Sequence, residues 1–284
     1  MHKTCTVCRK RSAVYYRRYS GDYLCEKCLS RTLEKTIHRS LASTKKLEPN
    51  SKILLPITFT NPIHSLILSK FVPRIESEYN VETIIAVPQY FYEQLRDYKP
   101  GENLYVTNIA PPSHNVTDPF YCWRYDRAWS LKLAKKHGAQ AIILPLTRTD
   151  LNLLMLEAVL RGQSFLLSES LPILQLNSIS IISGTQRAEG ELLAAYLALN
   201  KDTIPLVKTP CRPNLRNAKL LFYSVAVGRP ELEFSSFKSI SLLTRKLPLK
   251  NKTCRLCGGY SNNGDICSYC RSYIETINSL EVVS

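Results

Sequence analysis

The chain has 284 residues, is 44% hydrophobic and carries a net charge of +15, from 38 basic and 23 acidic side chains. That apolar fraction supports a buried core and excludes a disordered chain as a class. No apolar run reaches the ~20 residues of a membrane span, and residues 1–11 are polar rather than leader-like, so a cytoplasmic protein without membrane contact is expected.

The first 46 residues hold 12 of the basic groups and only three of the acidic ones. Within them, Cys5-x2-Cys8 and Cys25-x2-Cys28 bracket two short aromatic runs, Val14-Tyr15-Tyr16 and Tyr23-Leu24. Ser20-Gly21-Asp22 lies between the runs as the turn of a hairpin. Two such knuckles supply four thiolates for one tetrahedral zinc and leave no position open for a catalytic water. Arg9, Lys10, Arg11, Arg17 and Arg18 interleave with Tyr15, Tyr16, Tyr19 and Tyr23. Phosphate-binding charge mixed with stacking rings suits nucleic acid, RNA in particular.

A helix is predicted over 28–46 from the four-residue spacing of Leu33, Ile37 and Leu41. Strands are then predicted over 51–59, 83–87, 104–109, 139–144 and 178–183. Helices fall between and after them, over 61–79, 90–98, 123–137, 150–161, 188–199 and 215–227. Gly138 and Gly162 read as helix C-caps, and 110–121 as a loop. This alternation predicts an α/β fold: an open, parallel, Rossmann-like sheet with helices on both faces. Such sheets bind ligands at the carboxyl ends of their strands, and the first such turn is Phe59 to Ser65. Cys254-x2-Cys257 and Cys267-x2-Cys270 then repeat the knuckle pattern, with Gly258 suited to a left-handed residue. The division expected is a zinc ribbon over 1–30, a basic linker helix over 31–50, the α/β domain over 51–240, a second zinc ribbon over 250–273 and a tail over 274–284.

This layout resembles the archaeal and eukaryotic cytosolic tRNA 2-thiolation family, PP-loop ATPases related to the N-type ATP pyrophosphatases. The similarity rests on the paired ribbons, on Ala134-Lys135-Lys136-His137-Gly138-Ala139 before a strand, and on Leu160-Arg161-Gly162 closing a helix. It implies a PP-loop-type sheet, tRNA as partner and paired subunits. The family's reacting groups, however, are depleted here. Its SGGxDS loop falls on Thr60-Asn61-Pro62-Ile63-His64-Ser65, where only Ser65 matches and Pro62 has no N–H to offer a phosphate. Its GHNxDD segment falls on Pro145-Leu146-Thr147-Arg148-Thr149-Asp150, where only Asp150 matches, and Asp150 also suits the first turn of a helix. Of its three cysteines for an iron–sulfur cluster or sulfur, Cys122 has a counterpart, Tyr125 stands for the second, and none occurs near 233–239. Cys211 is the other single cysteine.

The resemblance therefore implies a non-catalytic paralogue. It would hold tRNA through the N-terminal ribbon and support a catalytic thiolation subunit as a heterodimer, a homodimer being the other pairing. Two structural zinc ions are expected, and neither ATP nor an iron–sulfur cluster. Two alternatives stand beside this. One is an active sulfur-transfer or nucleotide-dependent enzyme with a rearranged site, using Cys122, Cys211, Asp150 and His64. The other is a zinc-ribbon regulator that binds DNA.

Overall fold

A computed structural model describes residues 3–95, 98–112, 116–246, 252–262 and 264–279. The chain opens with a hairpin of β1 (Tyr15–Arg17) and β2 (Asp22–Leu24), turned at Gly21 with φ +72°. Then come α1 (Glu26–Ala42), β3 (Lys52–Pro56), α2 (Pro62–Glu76), β4 (Glu82–Pro88), α3 (Gln89–Leu95) and β5 (Leu104–Thr107). The second half of the body holds α4 (Pro119–His137), β6 (Ala141–Thr147), α5 (Arg148–Leu160), β7 (Ile173–Leu176), β8 (Ile179–Thr185), α6 (Gly190–Leu199), α7 (Arg216–Ala226) and α8 (Glu231–Lys246). A small ribbon of β9 (Lys252–Thr253) and β10 (Tyr260–Ser261) leads into α9 (Ser268–Arg271) and α10 (Ile274–Asn278). The start expected for this ribbon at 250 and the tail beyond 279 lie outside the described residues, as do 96–97 of the expected 90–98 helix.

Six strands form one sheet in the order β5-β4-β3-β6-β8-β7. Every residue of β6 and β8 is buried, as is β4 beyond its first. Strands buried on both faces, Ser180 and Ser183 of β8 included, need cover on both sides, the mark of a parallel sheet between helix layers. The α/β fold is thus as expected, with one departure. β7 runs antiparallel to β8 across the two-residue turn Asn177-Ser178, where Asn177 takes φ +54°. An asparagine tolerates that left-handed conformation and so permits a tight hairpin. A helix not predicted, α8, also follows the one expected over 215–227 and packs on α5 and α7. Pro145 lies inside β6, and the register with β8 shifts between Leu144 and Thr147. A residue with no N–H breaks the ladder there and bends the strand end.

The order reverses at β3 and β6, so the crevice of the sheet opens above their carboxyl ends. The turn after β3 and the start of α5 after β6 face each other across it.

Both ribbons are anchored to the body. Leu29, Leu33, Ile37 and Leu41 form the buried stripe of α1, which packs on α2, α6 and β8. Buried Ser40 adds a polar tie: its carbonyl accepts from Gln186 Nε2 and its Oγ from the Arg187 N–H. The C-terminal ribbon sits on α4 over a buried ion triad. Arg124 and Arg127 reach Glu169 at 2.9 and 2.6 Å, and none of the three side chains is more than 4% exposed. Burial pushes the Glu169 carboxyl up, but Arg127 and Arg124 outweigh it and hold it below its ordinary range. A Cβ on Gly259 would lie 2.6 Å from Arg127 Nη2 and 2.7 Å from Glu169 Oε1, so only glycine lets the ribbon backbone approach. Tyr273 completes the seat, edge-on to Tyr121 and Tyr125.

Removing one partner of such a buried triad leaves charge uncompensated, at a cost of about 3–5 kcal/mol. Glu169→Gln is expected to destabilise the chain by that order in urea unfolding. A loss under about 1 kcal/mol, the worth of an exposed pair, overturns the account.

Candidate functional site

The four thiols of Cys5, Cys8, Cys25 and Cys28 lie within 4.8 Å of one another, as do those of Cys254, Cys257, Cys267 and Cys270. Both sets are built alike. The first pair of each sits in a knuckle closed by a backbone bond to its first carbonyl, from Arg9 in one and Gly258 in the other, each 2.9 Å long. Arg9 has φ +54° and Gly258 φ +72°, the left-handed residue the knuckle requires. In the second pair, Cys25 and Cys267 are the N-cap residues of α1 and α9. Burial pushes Cys5 up, but backbone N–H groups of Cys8, Cys25 and Val7 bring it down to about 6. Four converging thiols with donors aimed at sulfur fit a tetrahedral metal site.

The turn after β3 is closed on itself. Phe59 and Thr60 donate their N–H groups to the two oxygens of Asp126 at 2.9 Å each. Thr60 Oγ1 and Trp129 Nε1 donate to the same carboxylate. The Asn61 N–H goes to Thr58 Oγ1, and the Ser65 N–H to the Asn61 carbonyl. Ser65 Oγ accepts from the Thr58 N–H and donates to the Asn61 carbonyl. Pro62 opens α2, where its fixed φ fits and its missing N–H costs nothing. An α4 carboxylate thus occupies the donors of Phe59 and Thr60 that an incoming phosphate would need. Asp126 is fully buried, and burial raises it from 3.8 to about 6 against the pull of Thr60, Phe59 and Trp129.

Across the crevice, Asp150 forms a capping box with Thr147. It accepts from the Thr147 N–H at 2.9 Å, while its own N–H bonds Thr147 Oγ1 at 3.1 Å. His64 is brought near it; burial pushes the imidazole down while Asp150 pulls it up. Cys122 and Cys211 meet in a disulfide with Cα atoms 6.1 Å apart. The segment around Cys211 pairs with Val116, and Thr209 Oγ1 donates to the Phe59 carbonyl beside the closed turn. Tyr125 is buried, with its hydroxyl on the Ala110 carbonyl and its ring against Phe59 and Tyr273. Residues 233–239 lie within α8.

The basic ribbon residues divide. Arg9, Lys10, Arg11 and Tyr16 are exposed, and the Tyr16 and Tyr23 rings meet at 4.7 Å, tilted by 33°. Tyr15 is half-buried against the core. Arg17 bonds Glu189 at 3.0 Å, and Arg18 pairs with Glu191. These two dock the ribbon on the start of α6. Sequence reasoning missed Asp126 because a carboxylate on a helical pattern reads as a solvated face. Its one signal was its place among Cys122, Tyr125 and Trp129, residues that share the inner side of α4.

Residues 4–30 match the N-terminal LIM domain of 2-thiouridine synthetase TtuA. The whole fold is similar to that of the U34-tRNA thiolase NcsA from Methanococcus maripaludis, solved with its [4Fe-4S] cluster. The TM-score is 0.72 over 96% of each chain, at 13% identity. Residues 4–30 thus resemble that N-terminal domain, and the chain shares the fold of that thiolase. A phosphoadenylyl-sulfate reductase from Candida auris, in phosphate complex, matches at TM-score 0.31 and 13% identity over 64% of this chain and 89% of its own, too distant to argue from. No curated protein matches by sequence.

One expectation is corrected by these matches. Iron–sulfur chemistry was set aside in favour of two zinc ions. The tRNA thiolase that shares the fold holds a [4Fe-4S] cluster, and four-cysteine sets ligate iron–sulfur clusters as well as zinc. Each four-thiol group here therefore fits an iron–sulfur cluster as well as zinc. No described helix is long and apolar enough to cross a membrane.

Two predictions follow from the site geometry. Folded Asp126 keeps its proton up to about pH 6, and the unfolded carboxyl releases it near 3.8. The stability this group adds is full below pH 3.8 and is lost as pH rises through about 6. Asp126→Asn removes that titration. The stability gap between wild type and variant is expected to shrink by on the order of 3 kcal/mol from pH 4 to 7 in urea unfolding, and a constant gap contradicts the assignment. Secondly, eight cysteines are free and two are bonded. The unfolded, metal-stripped chain, isolated without reductant, is expected to titrate eight thiols, and all ten after reduction. Ten thiols before reduction exclude the Cys122–Cys211 bond.

Proposed function

We propose that this protein is a non-catalytic member of the tRNA-thiolation family. It holds tRNA on its basic N-terminal ribbon and supports a catalytic thiolation subunit in the cytoplasm. The observation that carries this reading is the closed turn after β3. A loop that grips phosphate through backbone N–H groups needs those donors free. Here Asp126 takes Phe59 and Thr60, Thr58 takes Asn61, and Pro62 has none.

The choice of tRNA is supported by the fold, by the match over 4–30, and by the charge of the ribbon. Exposed Arg9, Lys10 and Arg11 lie on the same ribbon as the Tyr16–Tyr23 ring pair. Cations of that kind bind phosphates, and rings of that kind bind unstacked bases.

A second reading, an active sulfur-transfer enzyme with a rearranged site, has one observation in its favour. Cys122 and Cys211 meet beside the closed turn, where reduction releases two thiols.

The test uses the intact chain with its metals retained, handled without oxygen and supplied with tRNA, ATP and sulfide. The expected result is salt-sensitive tRNA binding without 2-thiouridine in the digested nucleosides. Arg9→Ala, Lys10→Ala and Arg11→Ala combined are expected to weaken binding by roughly tenfold or more. Thiouridine formed by the chain alone, and lost in Cys122→Ser, establishes the second reading instead. Failure to bind tRNA removes both.

A further inference from the structure

A cleft of about 420 Å³ opens where the N-terminal ribbon, α1, the end of β8 and α8 come together. Among its charged lining residues are Arg39, Arg187 and Lys238, one each from α1, the segment after β8, and α8. All three are exposed, and none makes an ion pair among the described residues. The lining contains no acidic side chain.

Arg148 forms part of the wall. Its side chain is 4% exposed, and Nη2 is fixed on Glu189 at 2.8 Å. Its Nε is buried without a hydrogen-bond partner, 3.6 Å from Glu233. Three rings, Tyr19, Phe234 and Phe237, share the rest of the lining with polar side chains. Tyr19 and Phe234 face each other at 5.9 Å, with the Arg148 guanidinium over both rings and the Lys238 ammonium 4.5 Å from Phe234.

Three unpaired cations from three separate elements exceed what one isolated phosphate would need. A volume of this size lies in the range of about 300–1,000 Å³ that small-molecule pockets occupy, and rings at its wall offer a π-face to any base. Tyr19 belongs to the ribbon hairpin, so the cleft wall is continuous with the N-terminal ribbon. We propose that this cleft binds a single-stranded RNA segment, with Arg39, Arg187 and Lys238 on its phosphates and a base against Tyr19 and Phe234. The proposal rests on the reading of the chain as an RNA-binding protein and adds a second contact, on the body, to the one expected on the ribbon.

The test is fluorescence anisotropy of the full chain with a labelled 12-nucleotide single-stranded RNA and with tRNA, at several salt concentrations. Arg39→Ala, Arg187→Ala and Lys238→Ala combined are expected to weaken single-strand binding at least tenfold. The salt slope should fall by about 2, since each phosphate contact to a single strand contributes about 0.7. Phe234→Leu should weaken binding severalfold and leave the slope unchanged. Wild-type affinity in the triple variant, with loss only on the Arg9, Lys10 and Arg11 substitutions, overturns the cleft and leaves the proposed function standing. No RNA binding by the wild type overturns both. Displacement of the RNA by millimolar AMP, with the triple variant losing AMP affinity as it loses RNA, makes this a mononucleotide site and overturns the assignment to a strand.

Discussion

A carboxylate with no access to water must have its lone pairs met by donors, and Asp126 meets them with the backbone of the turn after β3. Phe59 and Thr60, 67 and 66 residues away in sequence, converge on it with Trp129 of its own helix. The bonds run both ways in consequence. They satisfy a buried charge, and they satisfy two N–H groups that a strand-to-helix turn otherwise leaves open. The turn in this fold can serve an outside anion or an inside one, and α4 supplies the inside one. Around it the same helix buries Tyr125 and Trp129 against Phe59 and carries Arg124 and Arg127 beneath the C-terminal ribbon. One helix thereby fixes the turn, the core beneath it and the seat of a metal site.

The two ribbons are held to the body by charge as well as by apolar contact, and this changes how the basic sequence is to be read. Arg17 and Arg18 lie between Arg9 and the helix α1 and look in sequence like a continuation of the cationic face. In three dimensions they spend that charge on Glu189 and Glu191. Arg148, too, is committed to Glu189. On the ribbon the charge left unpaired includes Arg9, Lys10 and Arg11, and where the ribbon meets the body it includes Arg39, Arg187 and Lys238.

The elements that could be read from the sequence were those set by local pattern. The four CxxC knuckles, the α1 stripe, the buried strands and the capped ends at Gly138 and Gly162 follow from spacing and from residues with special φ values. The juxtaposition of Cys122 and Cys211 was legible only as an opportunity, because pairing of single cysteines depends on the loop at 209–214 crossing Val116. What could not be read depended on partners distant in sequence. Asp126 differs from a solvated acid only through the turn it caps. β7 alternates too briefly to distinguish an edge strand from a loop. Helix α8 carries charges at both ends and gains its place from α5 and α7. Gly259 reads as a turn residue, yet its need for glycine comes from the side chains of Arg127 and Glu169.

These arrangements separate two ways of binding an anion. A nest of backbone N–H groups is neutral, rigid and selective for a compact phosphate, and its strength depends on donor geometry. Side-chain cations on flexible stems bind through field and counterion release, follow an extended chain of phosphates, and weaken steeply with salt. In this protein the donors of Phe59, Thr60 and Asn61 are consumed internally, while Arg9, Lys10 and Arg11 on the ribbon and Arg39, Arg187 and Lys238 at the cleft make no ion pair among the described residues. The RNA binding proposed above is therefore of the second kind, suited to a polyanion presented along a surface rather than to a single phosphate enclosed in a loop.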